Sequence, residues 1–414
     1  MNTKTRDFIG KNLDADVRQL ALKGCRDPEV DLDMALRQIA GHQTARRKLP
    51  SWAALDGILY PPHLNMEQCS SEQTARYKKS LTPSPSLGGE GSEYIHSIQN
   101  VRPTRLVDLT GGFGVDFALM SQAFDEAIYV ERDTELFLIA SANLKLLAPK
   151  GRCINGDAIE TLHALDHATM IFMDPARRDS HGSRTYGIGD CTPNVLEIKD
   201  ELLQKADIVM LKLSPMLDWH KAIRDLGEPY IKEVHIVSLH NECKELILMM
   251  SARRDSRDSR VKVVCTNILP DGSYQLFQFS SPLSPLPSSI SHLPSAYLYE
   301  PNASIMKAGC FAEVARAFNV SQLSTNSHLF TSDEQIPGFP GRKFRITAVS
   351  TMNRQELKRA LRDIHEANIT VRNFPMTVAQ LRSKLKISEG GSDYIFATTL
   401  ADGKHVLLVT LPLR

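Results

Sequence analysis

Between residues 105 and 240 short apolar runs alternate with amphipathic stretches, and this alternation restricts the possible folds more than any other feature. The runs are RLVDL (105–109), AIYVE (127–131), RCING (152–156), MIFMD (170–174), DIVMLKL (207–213) and EVHIVSL (233–239). Helical spacing of apolar residues marks the intervening TELFLIASANLKLLA (134–148) and VLEIKDELLQKA (195–206). Short buried strands separated by helices can pair in parallel only through helical crossovers, which predicts a doubly wound α/β sheet. VKVVCTNILPDGSYQLFQFS (261–280) reads as two strands about an Asp-Gly turn, so the sheet is expected to end in an antiparallel edge.

The flanks have other patterns. Residues 1–66 read as a helical unit, closed by Pro61-Pro62, and SLTPSPSLGGEGS (80–92) reads as a flexible insertion. A second Pro/Ser-rich break near 281–295 separates the α/β region, taken as 67–280, from a small ferredoxin-like or linker module at 281–340. Residues 341–414 read as strand, helix, strand, helix and hairpin, a further small α/β module. No internal repeat of solenoid length is present.

Bulk properties exclude several classes. Seven scattered cysteines without a Cys-x-x-Cys pair argue against a disulfide framework or a zinc site, and no metal is assigned. The histidines lack ligand-like spacing. No apolar run approaches a membrane span and the N-terminus lacks a secretion-signal core, so a cytoplasmic protein with no membrane partner is expected. A net charge of +1 argues against a polyanion binder as a whole. Charge is nevertheless segregated: residues 341–387 hold eleven Lys/Arg against three Asp/Glu, the footprint expected of a nucleic-acid contact.

Ligands of open parallel sheets bind beyond the carboxyl ends of the strands, so the last residues of each strand matter most. The first ends in Asp108-Leu109-Thr110-Gly111-Gly112-Phe113-Gly114, the second in Glu131, the third leads to Gly156-Asp157-Ala158, and the fourth ends in Asp174-Pro175. The glycines let backbone approach a ligand or simply make a tight turn; the spacing is neither the dinucleotide Gly-x-Gly-x-x-Gly nor a P-loop. Glu131 suits ribose hydroxyls, Asp157 an exocyclic amine, Ala158 a backbone N–H contact, and Asp108 a cationic amino group. Each acid alone reads equally as a helix cap.

VDLTGGFGVD, VERD, NGDA and DPAR, in this order and spacing, resemble the class I S-adenosylmethionine-dependent methyltransferases. The likeness is to the bacterial family with a THUMP-like C-terminal domain, and it extends to MEQCSSEQTARYK (66–78), ECKELIL (242–248), YLYEPNASIMKAG (297–309) and LRSKLKISEGGSDYIFATT (381–399). The resemblance implies a Rossmann-like seven-stranded sheet and S-adenosylmethionine as cofactor. It implies that Asp108, Thr110, Gly111, Gly112, Phe113 and Gly114 surround the methionine end, Glu131 and Arg132 the ribose, and Asp157 and Ala158 the adenine. Gln68, Ser70, Ser71 and Thr74 become candidates for the cofactor carboxylate, with a helix N-cap as the other reading. Because THUMP domains accompany RNA-modifying enzymes, it also implies RNA as partner and substrate.

The acceptor side departs from the amine-methylating pattern. Where an aromatic ring would stack on a base, the chain reads Asp174-Pro175-Ala176-Arg177-Arg178. Asp174, Pro175 and Arg177 are the expected catalytic residues. Arg177, Arg178, Arg184 and Lys212 are candidates for substrate, each able to grip phosphate or to pair structurally. Methylation of a protein or small molecule, and RNA binding without activity, are the rival readings.

Overall fold

The computed structural model describes residues 1–82, 104–177, 187–253, 260–281, 283 and 295–413, and the chain divides into two compact units. The first comprises 1–234 and 245–259, the second 235–244 and 260–414.

The first unit is built on parallel strands β1 (Arg105–Asp108), β2 (Glu126–Glu131), β3 (Gly151–Asn155) and β4 (Ala168–Met173). A two-stranded ribbon follows, β5 (Ala176–Arg177) with β6 (Cys191–Thr192), and then come β7 (Ala206–Leu213), β8 (Ile231–Leu239) and β9 (Glu242–Met250). The order is β8-β9-β7-β4-β1-β2-β3, with Ile231–Val234 the part of β8 belonging to this unit. These strands give the expected doubly wound arrangement, but the hydrogen-bonded sheet counts nine strands among the described residues and not the expected seven. β1 pairs in parallel with both β2 and β4, so the chain reverses direction across the sheet between β1 and β4. β9 runs antiparallel to β7. Leu106, Val107, Met170, Ile171 and Phe172 are buried on both faces, as continuous apolar runs in a covered parallel sheet require.

The N-terminal helices belong to this unit. Leu32–Lys48 starts on Asp31, whose carboxylate accepts from the Met34 N–H at 3.0 Å, and it buries Ala35, Gln38, Ile39, Gly41 and Ala45. The Gln38 amide donates to the Tyr60 carbonyl and accepts from the Tyr60 N–H, both at 2.9 Å. Asn143, from helix Thr134–Leu147, does the same for Leu59 at 2.8 and 2.9 Å. One extended segment is thereby held by its backbone from two helices at consecutive residues.

In the second unit, β10 (Lys262–Ile268) and β11 (Tyr274–Ser280) form the expected antiparallel edge hairpin. A separate sheet contains β12 (Tyr297–Pro301), β13 (Ser321–Gln322), β14 (Phe330–Ser332), β15 (Gly341–Thr351), β16 (Asn368–Arg372), β17 (Tyr394–Thr399) and β18 (His405–Pro412), ordered β13-β14-β12-β15-β18-β17-β16. Only β16 and β17 pair in parallel among its described ladders. The sheet runs across the boundary expected at residue 340. At that junction the buried Glu300 of β12 holds Arg342 of β15 and, at 2.8 Å, Arg372 of β16.

One element is not assigned from sequence, and one is shorter than expected. ECKELILMM, given no element from sequence, forms β9 by pairing with β7 residues that stand 33 to 41 positions earlier. The first helix expected within residues 341–414 spans Arg354–Ala360, and Arg362 lies beyond it.

Candidate functional site

The glycine loop after β1 is shaped by three local demands. A Cβ on Gly111 would lie 2.1 Å from Cε2 of Tyr129, so the ring on β2 fills the space a side chain would take. Gly112 and Gly114 have φ of +54° and +86°, the left-handed region that side chains disfavour. Gly114 then starts helix Val115–Met120. The Tyr129 hydroxyl donates to the Gly112 carbonyl, and the Gly112 N–H donates to Glu131 at 2.9 Å. The other Glu131 oxygen accepts from the Asp133 N–H at 2.8 Å. Both oxygens keep a second lone pair, so Glu131 fixes the loop without losing its capacity to accept from hydroxyls.

Asp108 lies at the floor. It is 1% exposed; Oδ1 accepts from the Thr110 N–H at 3.1 Å, while Oδ2 is buried without a hydrogen-bond partner. Burial pushes its carboxyl well above the usual range, and the nearby Asp116, Asp174 and Glu131 push the same way against the Thr110 bond. An orphaned buried carboxyl surrounded by acids is the environment that a cationic group would complete. An ammonium placed there satisfies the oxygen and relieves the charge, so the residues present fit the amino-acid end of S-adenosylmethionine.

Around Asp108 runs a chain of ion pairs that sequence reading did not find. Lys78, on helix Glu72–Ser80, is fully buried and donates at 2.7 Å to both oxygens of Glu245 on β9. It also lies 3.1 Å from Asp116 and 3.2 Å from the Ser70 hydroxyl. Ser70 donates to Asp116 at 2.7 Å. Lys212 of β7 stands 3.8 Å from Asp116 and donates at 2.5 Å to Asp174, whose N–H is held at 2.6 Å by the Thr110 hydroxyl. Burial opposes the Lys212 charge, but Asp174, Asp116 and Glu245 outweigh it and hold the ammonium above the ordinary lysine value. Burial likewise opposes the Asp116 charge, and the two lysines outweigh it, holding that carboxyl low. Lys78 and Glu245 both lie in stretches quoted above for the family resemblance, but their 167-residue separation left no signal that they meet.

The remaining candidates are placed as follows. Ser71 caps helix Glu72–Ser80, accepting from the Thr74 N–H at 3.1 Å, and Thr74 is buried beside it. Ser70 sits in the ion chain and Gln68 is exposed at the end of helix His63–Gln68. Phe113 is buried against Trp52, with ring centroids 5.0 Å apart, and Arg132 is exposed. Asp157 caps helix Ala158–Ala164 through Oδ1, accepting from the Ile159 and Glu160 N–H groups at 2.8 and 3.2 Å. No hydrogen bond among the described residues uses its Oδ2. Ala158 and Pro175 are buried. The side chains of Arg177, Arg178 and Arg184 lie outside the described residues. Among the described residues no cluster of potential metal ligands occurs.

In the second unit, Arg354, Lys358, Arg359, Arg362, Lys384 and Lys386 are exposed and make no ion pair among the described residues. Arg342 and Arg372 are held by Glu300, and Arg382 donates to the Ala367 carbonyl.

Comparison with known proteins places these features. A family model of a ferredoxin-like domain matches residues 297–340, and one of a THUMP-like domain matches 341–412. The crystal structure of a "putative methyltransferase" from Porphyromonas gingivalis W83 is similar over 99% of this chain and 97% of that one, at 30% identity and a TM-score of 0.82. A tRNA (m1A58) methyltransferase from Aquifex aeolicus shares 12% identity over 45% of this chain and 71% of its own, with a TM-score of 0.32. An S-adenosylmethionine-dependent methyltransferase from Agrobacterium tumefaciens shares 17% over 45% and 64%, with a TM-score of 0.30. Neither of these two distant likenesses bears weight. No curated protein matches the sequence.

Proposed function

This chain belongs to the class I S-adenosylmethionine-dependent methyltransferases that carry a THUMP-like C-terminal domain, and on that footing we propose that it methylates RNA. The observation that carries the donor reading is Asp108, a buried carboxyl with one oxygen left without a hydrogen-bond partner at the switch point of the sheet. S-adenosylmethionine, when bound, supplies a methyl group activated by a sulfonium sulfur. Asp108 would take the amino group, the loop 110–114 would bound the methionine end, and Glu131 would accept from the ribose hydroxyls. Asp157 would accept from the adenine amine through the oxygen that does not cap the helix. Asp174, with Pro175 behind it, would align the acceptor, and alignment is the main demand that methyl transfer makes of a protein.

The exposed basic residues of the THUMP-like domain support RNA as the acceptor. Six exposed cations that make no ion pair among the described residues attract a phosphate backbone, although Arg359 also acts on the nearby Glu356. The experiment is transfer of labelled methyl from S-adenosylmethionine to total RNA, protein and small-molecule fractions. Label in RNA is expected; label confined to protein or small molecules would overturn the RNA reading. The Asp108→Ala and Glu131→Ala variants should lose donor binding by calorimetry.

A further inference from the structure

The buried ion chain is closed at one end and open at the other. Lys78 and Glu245 are sealed from solvent, whereas the Asp174 side chain is 38% exposed and that of Lys212, beside it, keeps 11%. The accessible end is therefore a carboxylate and an ammonium 2.5 Å apart, placed at the carboxyl ends of β4 and β7.

The geometry points to a hydroxyl oxygen as the methyl acceptor, held between Asp174 and Lys212; this rests on the RNA reading above, which makes it the ribose 2′-hydroxyl. An amine acceptor gains positive charge as it is methylated and calls for an uncompensated carboxylate. Here the charge of Asp174 is already answered by Lys212. Ala176 offers no ring to stack on a base. A hydroxyl makes the opposite demand. Its oxygen becomes nucleophilic only as the proton is drawn away, and the electron density left behind needs a cation beside it.

The pair meets both needs. The acceptor oxygen forms its bond to the methyl carbon while the carbon–sulfur bond breaks and that electron pair stays on sulfur. The hydroxyl proton passes to the Asp174 carboxylate. The Lys212 ammonium donates to the oxygen throughout. Asp174 and Asp116, at 2.5 and 3.8 Å, favour the charged form of Lys212, so it acts as a donor. Asp116, Ser70, Lys78 and Glu245 do not reach the acceptor; they are positioning residues that keep Lys212 charged and aimed.

The test reads the chemistry of the product. Wild-type protein is incubated with methyl-labelled S-adenosylmethionine and total RNA from cells lacking it, and the RNA is hydrolysed in alkali. A methylated 2′-oxygen cannot attack the adjacent phosphate, so label is expected in alkali-resistant dinucleotides. Label in mononucleotides, on a base, overturns the hydroxyl acceptor and leaves the RNA reading standing. Absence of label from RNA overturns the RNA reading and this inference with it.

The Lys212→Ala variant should lose transfer by about a hundredfold or more while calorimetry shows S-adenosylmethionine affinity within about threefold of wild type. Transfer retained within about tenfold would count against the proposal. If that variant does not fold, Asp174→Asn, at a more exposed position, carries the same expectation.

Discussion

Replacing Asp108 with Asn separates what this residue costs the fold from what it supplies to the site. In the absence of donor, the carboxyl binds its proton more tightly folded than unfolded, because burial and three neighbouring acids disfavour its charge. Stability from this group is therefore fully present below its unfolded value of 3.8 and falls as pH rises towards the raised folded value. The slope is about 1.4 kcal/mol per pH unit across that window. Asn keeps the acceptor for the Thr110 N–H and resembles the protonated acid. Wild type and Asp108→Asn should match near pH 4, and the variant should become the more stable as pH rises. In a unit of this size each kcal/mol moves the melting temperature by about 2–4 °C. Asp116 titrates with the opposite sign in both proteins, so only its coupling to Asp108 survives in the difference.

The donor reverses the ranking. An ammonium on Asp108 is worth about 1.5–3 kcal/mol as a charged hydrogen bond, so the variant should bind S-adenosylmethionine about 10- to 150-fold more weakly. Wild type should release a proton on binding, detected by calorimetry in buffers of different ionisation heat. Equal melting at every pH, or unchanged donor affinity in the variant, would refute the assignment.

Three further outcomes follow from the geometry. Lys78→Met leaves Glu245 and Asp116 buried without their shared cation and should cost about 3–5 kcal/mol in chemical denaturation. Gly111→Ala drives a methyl into the Tyr129 ring and should destabilise the first unit by about 1–3 kcal/mol, with donor affinity falling alongside. Substituting Arg354, Lys358 and Arg359 together by Ala should weaken RNA binding and lower its salt slope by about 2–3, measured by filter binding from 50 to 200 mM salt.

The parallel strands and the acids at their ends were legible because each signal is local: an apolar run, a turn glycine, a carboxylate beside it. Asp108 and Glu131 do end β1 and β2, and Asp157 does follow β3 as a helix cap. The ion chain was not legible, since Lys78, Asp116, Lys212 and Glu245 come from four elements that only the folded sheet brings together. Ser71 could be read as a cap or as a ligand from sequence, and folding gives it the cap while leaving its second role to experiment. β9 escaped notice because ELILMM fits either periodicity until a neighbouring strand selects one. The expected boundary at residue 340 follows a change in sequence pattern, yet the hydrogen-bonded sheet ignores it.

The paired amides of Gln38 and Asn143 have a consequence for how the protein can be dissected. They secure adjacent peptide units, Tyr60 and Leu59, from helices on either side of the expected boundary at residue 66. A fragment starting at residue 67 would keep Asn143 but lose the segment it clasps, stranding a fully buried amide. The first 66 residues thus behave as a structural strut of the donor-binding unit, and a catalytic core cut free of them should expose sticky surface and precipitate.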